Sequence, residues 1–239
     1  MQGNRVREAL VLGSLLFAGL AVLGYLLGSS AIRIKQLDRT VTVKGLAEKE
    51  VPADVAVWPI RFTAADNDLV ALYAALERDT TKIVAFLASS GFDESEISVA
   101  APSITDKMAQ QYGNAERVEL RYVAVQGITV YTSKPDKVRG AMSKLVALGK
   151  QGIVFSGGGY QGSTQYLFTK LNELKPEMIE DATREARAVA QKFAHDSDSR
   201  LGKIKSARQG QFSITDRDDS TPYIKKVRVV STVEYYLSD

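Results

Sequence analysis

No charged residue interrupts the chain between Ala9 and Ile32, an apolar stretch of 24 residues. Coiled as a helix at ~1.5 Å per residue it would reach roughly 36 Å, enough for a hydrocarbon core of about 30 Å. Arg5 and Arg7 before it and Ser29-Ser30-Ala31 at its end also fit a cleavable signal peptide. The apolar region of such peptides is usually about 7–15 residues, shorter than this one. The expectation is a retained single-pass anchor over residues 9–32 with a short linker to residue 39, followed by one domain over 40–239. Arg5 and Arg7 precede the span and Arg33, Lys35 and Arg39 follow it. That count mildly favours the C-terminal side being inside, but it does not set the orientation, because long domains translocate regardless of it.

Beyond the anchor the periodicities alternate. Thr40-Val41-Thr42-Val43-Lys44 has the period of two of a half-buried strand, with Gly45 as its stop. Asp54 to Ala64 predicts a second strand with Trp58, Ile60 and Phe62 on one face. Pro59 lies inside it and cannot donate to a ladder, so an edge strand or a bulge is expected there. Asp66-Asn67-Asp68 then caps a helix whose apolar stripe is Leu69, Leu72, Tyr73, Leu76, Thr80, Ile83 and Leu87, closed by Gly91. Strands are predicted over Glu96–Ile104 and Arg117–Thr132, with a hairpin tip at Gly113-Asn114 between them.

Ser133-Lys134-Pro135-Asp136 reads as the start of a short helix through Val138, Met142 and Leu145, ending near Gly149. Ile153 to Gln161 predicts a strand interrupted by Gly157-Gly158-Gly159. Pro176 opens a second long helix with Ile179, Ala182, Ala186, Val189 and Phe193 on one side. Strands over Lys203–Phe212 and Tyr223–Leu237 close the chain, joined by a polar turn from Thr215 to Ser220. Strand, long helix, strand, strand thus occurs twice, over roughly 53–132 and 153–238. The expected class is α+β: duplicated β-α-β-β units, with long amphipathic helices packed on antiparallel sheet and one transmembrane helix in front.

Composition narrows the function. The chain has 239 residues, 45% hydrophobic and 25% charged, as in an ordinary globular protein. The formal charge of +3 is carried entirely by residues 1–39, so the 40–239 domain is neutral. It has no basic excess with which to neutralise phosphates, and no nucleic-acid partner is expected. There is no cysteine, which removes disulfides, thiolate nucleophiles and Cys-based metal sites.

Candidate chemistry is sparse. The single histidine, His195, falls at the end of the second long helix, where the dipole favours a charged imidazole as a capping group. No Gly-x-Ser-x-Gly elbow accompanies it. Gly157-Gly158-Gly159-Tyr160-Gln161-Gly162 lacks the Lys-Ser/Thr of a phosphate loop and the G-x-G-x-x-G spacing, and reads as a turn or bulge. Asp216, Asp218 and Asp219 resemble the opening of a calcium loop. Thr221 and Val227 occupy the places of its glycine and closing glutamate, so a solvated turn is the better reading. Glu48 and Glu50 could form an acid pair, though nothing singles them out. No catalytic residue, cofactor or metal is therefore expected. Gly24 and Gly28 are four apart in the apolar stretch, the small-xxx-small spacing that allows two membrane helices to approach.

The run Val41-Thr42-Val43-Lys44-Gly45 through Pro52-Ala53-Asp54-Val55-Ala56 is similar to the opening V-x-G-x-G-x-x-x-x-x-P-D-x-A pattern of the SIMPL-domain family of mostly bacterial exported proteins. Ala182, Ala186 and Ala190 followed by Leu201-Gly202-Lys203-Ile204 resemble its A-x-x-x-A-x-x-x-A helix and L-G-x-I/V strand. Val227 to Tyr235 resembles its last strand. The pattern's second glycine is replaced here, and Ala53 intervenes between Pro52 and Asp54. The resemblance implies an α+β, envelope-located, oligomeric protein with no established catalytic residues. Two expectations follow. One is a non-enzymatic, membrane-anchored homo-oligomer, a scaffold or stress-related component held in the inner membrane with its domain in the periplasm or exterior. The other is an envelope ligand binder or carboxylate-using hydrolase, secreted if the leader is cleaved.

Overall fold

The computed structural model describes residues 2–36, 39–109, 119–156 and 164–238. The Gly113-Asn114 tip and the Gly157 to Gly162 cluster lie outside them. The chain divides into two compact units, and the first contains the N-terminal helix α1 (Gln2–Gln36). Unit 1 comprises Met1–Glu48, Lys175–Phe212 and Arg228–Asp239; unit 2 comprises Lys49–Leu174 and Ser213–Val227. The class is α+β with antiparallel sheets.

Within α1, residues Gly13–Ser30 form an 18-residue window of mean hydropathy 1.6, none of it buried. Its length and composition are those shared by membrane spans and signal sequences.

Unit 2 is built on a six-stranded sheet whose backbone is the antiparallel pair β2 (Val55–Asp66) and β5 (Tyr122–Thr132). Strands β3 (Ile97–Val99) and β4 (Ser103–Asp106) pair with β5; β6 (Val154–Phe155) and β7 (Gln165–Leu167) pair with β2. The long strand expected over 96–104 is thus a 3₁₀ turn (Glu94–Glu96) and two short strands. On the inner face Trp58 and Ile60 stand opposite Val130 and Ile128, and Phe62 and Ala124 join the same buried cluster. β2 is an interior strand and its register with β5 is unbroken at Pro59↔Thr129, so the expected edge or bulge is corrected. Ser156 donates its N–H to the Arg61 carbonyl at 2.9 Å, which puts the polar backbone of Arg61 on the β6 side. Pro59, two residues back, faces the same side, in the interval 58–61 where neither β6 nor β7 pairs. No ladder partner there needs its absent N–H.

Helix α2 (Leu69–Ser89) covers that inner face. Asp68 is its N-cap, accepting from the Ala71 N–H at 2.8 Å. At the other end Gly91 takes φ +88°, with Gly91 N–H to the Ala88 carbonyl and Phe92 N–H to the Leu87 carbonyl, a Schellman close that lays Phe92 against Trp58. The buried row is Leu72, Leu76, Asp79, Ile83 and Leu87. Leu69 and Tyr73 are exposed, so the expected stripe is corrected by a step around the helix. Helix α3 (Pro135–Lys144) begins with proline in its first turn, but Lys134, not the Ser133 hydroxyl, stands at the cap, and α4 (Val146–Gly149) follows.

Unit 1 holds most of a second sheet in the order β1 (Thr40–Pro52), β10 (Ile224–Ser238), β8 (Arg200–Gln209), with β9 (Ser213–Asp216) beside β10 in unit 2. Strand β1 does not stop at Gly45 but runs through it to Pro52. Helix α5 (Leu171–Asp196) starts five residues before the expected Pro176, whose ring simply continues the helical φ at the loss of one backbone bond. Its buried row in unit 1 is Met178, Ala182, Ala186, Ala190 and Ala194. Phe193 is 56% exposed and Val189 lies at the surface, a second correction of phase. Ala186 and Ala190 meet Val43, Val233 and Tyr235, which form the core of this unit.

The outward faces differ in kind. On the unit 1 sheet Lys44, Glu48, Arg208, Arg228 and Glu234 point away from α5. On the unit 2 sheet the outward strand positions carry a single charge, Arg61, among valines, threonines, serines, Tyr131 and Leu167.

Candidate functional site

The carboxylates that depart from their ordinary range do so downward, and each is tied into structure. Asp106 takes a forked pair from Arg121, Nη2 to Oδ2 at 2.8 Å and Nε to Oδ2 at 3.1 Å, and this holds it low. Asp218 is lowered to about 2 by the Thr221 hydroxyl and by Arg217, and it accepts the N–H groups of Ser220 and Thr221, closing the turn after β9. Glu234 bridges Thr40 on β1 and Ser206 on β8, and these hydroxyls with Lys205 lower it. Burial works to raise Glu96, but the Asp93 N–H, the Thr132 hydroxyl at 2.7 Å and Lys134 outweigh it. These are capping and cross-strand roles. A general acid needs the opposite shift, upward toward neutrality.

The candidates from the sequence are not brought together. His195 is exposed in the last turn of α5, 3.5 Å from the carboxylate of its neighbour Asp196. Asp216 pairs with Lys225 while Asp218 caps the turn, and among the described residues no group of three His, Cys, Asp or Glu could hold a metal ion. Glu48 pairs with Arg228 at 3.4 Å and Glu50 with Arg217 at 3.7 Å, so neither is the partner of the other. Gly24 and Gly28 have nothing within 4 Å of where a Cβ would stand.

The residues that carry the family resemblance are joined by packing. A Cβ on Gly45 would stand 1.8 Å from the Ala182 carbonyl oxygen and 2.5 Å from the Ala186 nitrogen. The strand glycine and the alanine row of α5 are therefore two halves of one close contact, possible only because neither side has bulk. Gly202 meets the Tyr236 carbonyl in the same way at 2.9 Å, joining the L-G-x-I strand to the closing strand. In unit 2, Asp54 accepts both the N–H and the hydroxyl of Thr169 at 2.8 Å, fixing the chain just before α5. Gly45 as a packing site was missed from the strand alone. The A-x-x-x-A spacing 137 residues later was the signal that could have found it.

Residues 41–235 match the profile of SIMPL, a protein of unknown function (DUF541). This chain belongs to the SIMPL family. The match takes in every strand of both sheets except the outermost residues of β1 and β10, and it leaves α1 outside. No curated protein matches the chain. In this SIMPL domain the signature glycines and alanines set the distances between elements, and Asp54 holds the chain at Thr169.

Proposed function

We propose that this SIMPL protein is a non-enzymatic, oligomeric component of the cell envelope with a scaffolding or stress-related role. It is held in the cytoplasmic membrane by α1, with its domain in the periplasm or exterior. The reading is carried by the fully exposed apolar window Gly13–Ser30, which water would not tolerate and a bilayer would. It is supported by signature residues that pack and carboxylates that cap. The neutral 40–239 domain binds no duplex DNA at physiological salt.

The test is intact mass and sedimentation of the full chain extracted from membranes in mild detergent. The expected result is a chain retaining residues 9–32 and sedimenting as a discrete multiple of the 26.1 kDa protomer. A mature N-terminus near Ile32 defeats the anchor, and a monomer across the micromolar range defeats the assembly.

A further inference from the structure

One end of unit 1 is tied together at the residue where the chain arrives from α1. The Arg39 carbonyl accepts the Leu237 N–H at 2.8 Å, and the Arg39 Nη2 donates to the Ser199 hydroxyl at 3.3 Å. The Ser199 N–H returns to the Ala194 carbonyl at 2.8 Å, and Arg200 stands opposite Ser238. The last turn of α5, the start of β8 and the end of β10 therefore share one rim with the start of β1. From Gln36, the last residue of α1, to Thr40 the chain takes four steps, a reach of at most about 14 Å. Past Ser30 the helix has six further residues, about 9 Å of length against a headgroup layer of roughly 5–8 Å. With Gly13–Ser30 in a bilayer, α1 thus ends near the outer margin of the headgroups, and the rim lies within a short tether of it.

We propose that this rim rests on the bilayer that holds α1, with the Phe193 ring seated among the lipid headgroups. The proposal rests on the anchoring reading above and adds a second contact to it. Phe193 lies in the last turns of α5, one residue before Ala194, with its ring 56% exposed and Val189 one turn back on the same flank. Its neighbour Lys192 is exposed, with a stem that can lie along an apolar surface while its ammonium stays in water. The charges of the rim are mixed, Lys192 and Arg200 against Asp196 and Asp198. Anionic lipid therefore gains little here, and the ring carries the contact. One phenylalanine would hold a free domain to a membrane only weakly. The tether changes that, because the second contact becomes intramolecular and its effective concentration is set by a few residues of chain. The far end of β8, at Gln209, is then held off the membrane, ten residues or about 30 Å along the strand from Arg200.

The chain has no cysteine, so single cysteines report without background. Ser197→Cys, one turn beyond Phe193, and Gln209→Cys are each labelled with an environment-sensitive fluorophore in the full chain. The labelled chains are reconstituted into phosphatidylcholine vesicles containing a nitroxide headgroup lipid. The expected result is severalfold stronger quenching at position 197 than at 209. Phe193→Ser should bring the position 197 probe down to the level of the other, while Phe193→Leu keeps the difference; the ring is exposed, so both variants should retain the wild-type thermal transition. If the chain floats with the vesicles but the two probes are quenched alike, or the stronger quenching survives Phe193→Ser, the contact is wrong and the anchor stands. If the chain does not float with the vesicles, the anchor and the contact fall together.

Discussion

Each unit of this SIMPL domain lays a helix on one face of an antiparallel sheet, and they treat the other face in opposite ways. Unit 1 studs it with charge and cross-strand bonds: Glu234 links Thr40 and Ser206, and Arg228 pairs with Glu48. Unit 2 leaves it apolar and β-branched with one arginine. The inner faces differ too. Unit 2 packs Trp58, Phe62, Leu72, Ile83 and Leu87 in bulk, whereas unit 1 brings backbone against backbone through Gly45 and a row of alanines. One supersecondary plan therefore serves two ends: a unit held by close approach and finished toward water, and a unit held by a large core and left unfinished on one side.

The sharpest way to break the comparison is at Gly45. Gly45→Val puts branched bulk where a Cβ already stands 1.8 Å from the Ala182 carbonyl. The cost is expected at or beyond the top of the about 1–3 kcal/mol of ordinary overpacking, because backbone and not a side chain must move. The only tryptophan, Trp58, lies in unit 2. Far-UV circular dichroism should lose amplitude while Trp58 fluorescence keeps its native transition; a coincident loss of both would show that the units are not separable in stability. The converse holds for unit 2. Ile83→Ala and Leu87→Ala, both fully buried, should each cost roughly 2–5 kcal/mol and shift the Trp58 transition in urea. A shift below about 1 kcal/mol for both would contradict the packing of α2.

On the open face the effects on folding are small. Tyr131→Thr, at an exposed position, should leave protomer stability within about 0.5 kcal/mol, read by thermal melts at concentrations where chains do not associate. The smallest effect separates the faces by pH. Glu234 is lowered below its ordinary range by Thr40, Ser206 and Lys205, so its contribution is present above that range and is lost as pH falls through the lowered value. Asp218, in the unit 2 turn after β9 and lowered to about 2, loses its own between about pH 4 and 2. Glu234→Gln and Asp218→Asn should each flatten the acid limb of a stability profile. Val125→Thr on the unit 2 face should leave that limb unchanged.

The sequence was most legible where large side chains set the period. Leu72, Leu76, Ile83 and Leu87 predict α2 and its buried row, and Asp68 and Gly91 mark its ends. It was least legible in α5, where the contact is made by alanines. Val189 and Phe193 offer more apolar surface than Ala190 and Ala194, so a pattern weighted by hydrophobicity turns the helix toward the wrong face. Gly45 read as a terminator for a related reason: a missing side chain looks like a break until the element that needs the space is known. Pro59 misled because the rule against proline applies to a single hydrogen-bonding side, and here that side faces the unpaired interval between β6 and β7. The candidate acids could not be separated from capping and ion-pair groups by spacing alone, since Asp218 and Glu48 differ from catalytic carboxylates only in what they touch.

The order in which the pieces of unit 1 occur along the chain also governs when it can form. The six-stranded sheet of unit 2 is drawn from one continuous run, Val55 to Leu167. The unit 1 sheet pairs β1 with β10, more than 170 residues further along, and takes α5 from between them. During synthesis the ribosome releases the first sheet whole while β1 still has neither its helix nor its central partner. Closing so long a loop is slow. In that interval the edge of β1 is bare, and a nascent SIMPL chain is most vulnerable to pairing with its neighbours just before the fifteen residues of β10 arrive.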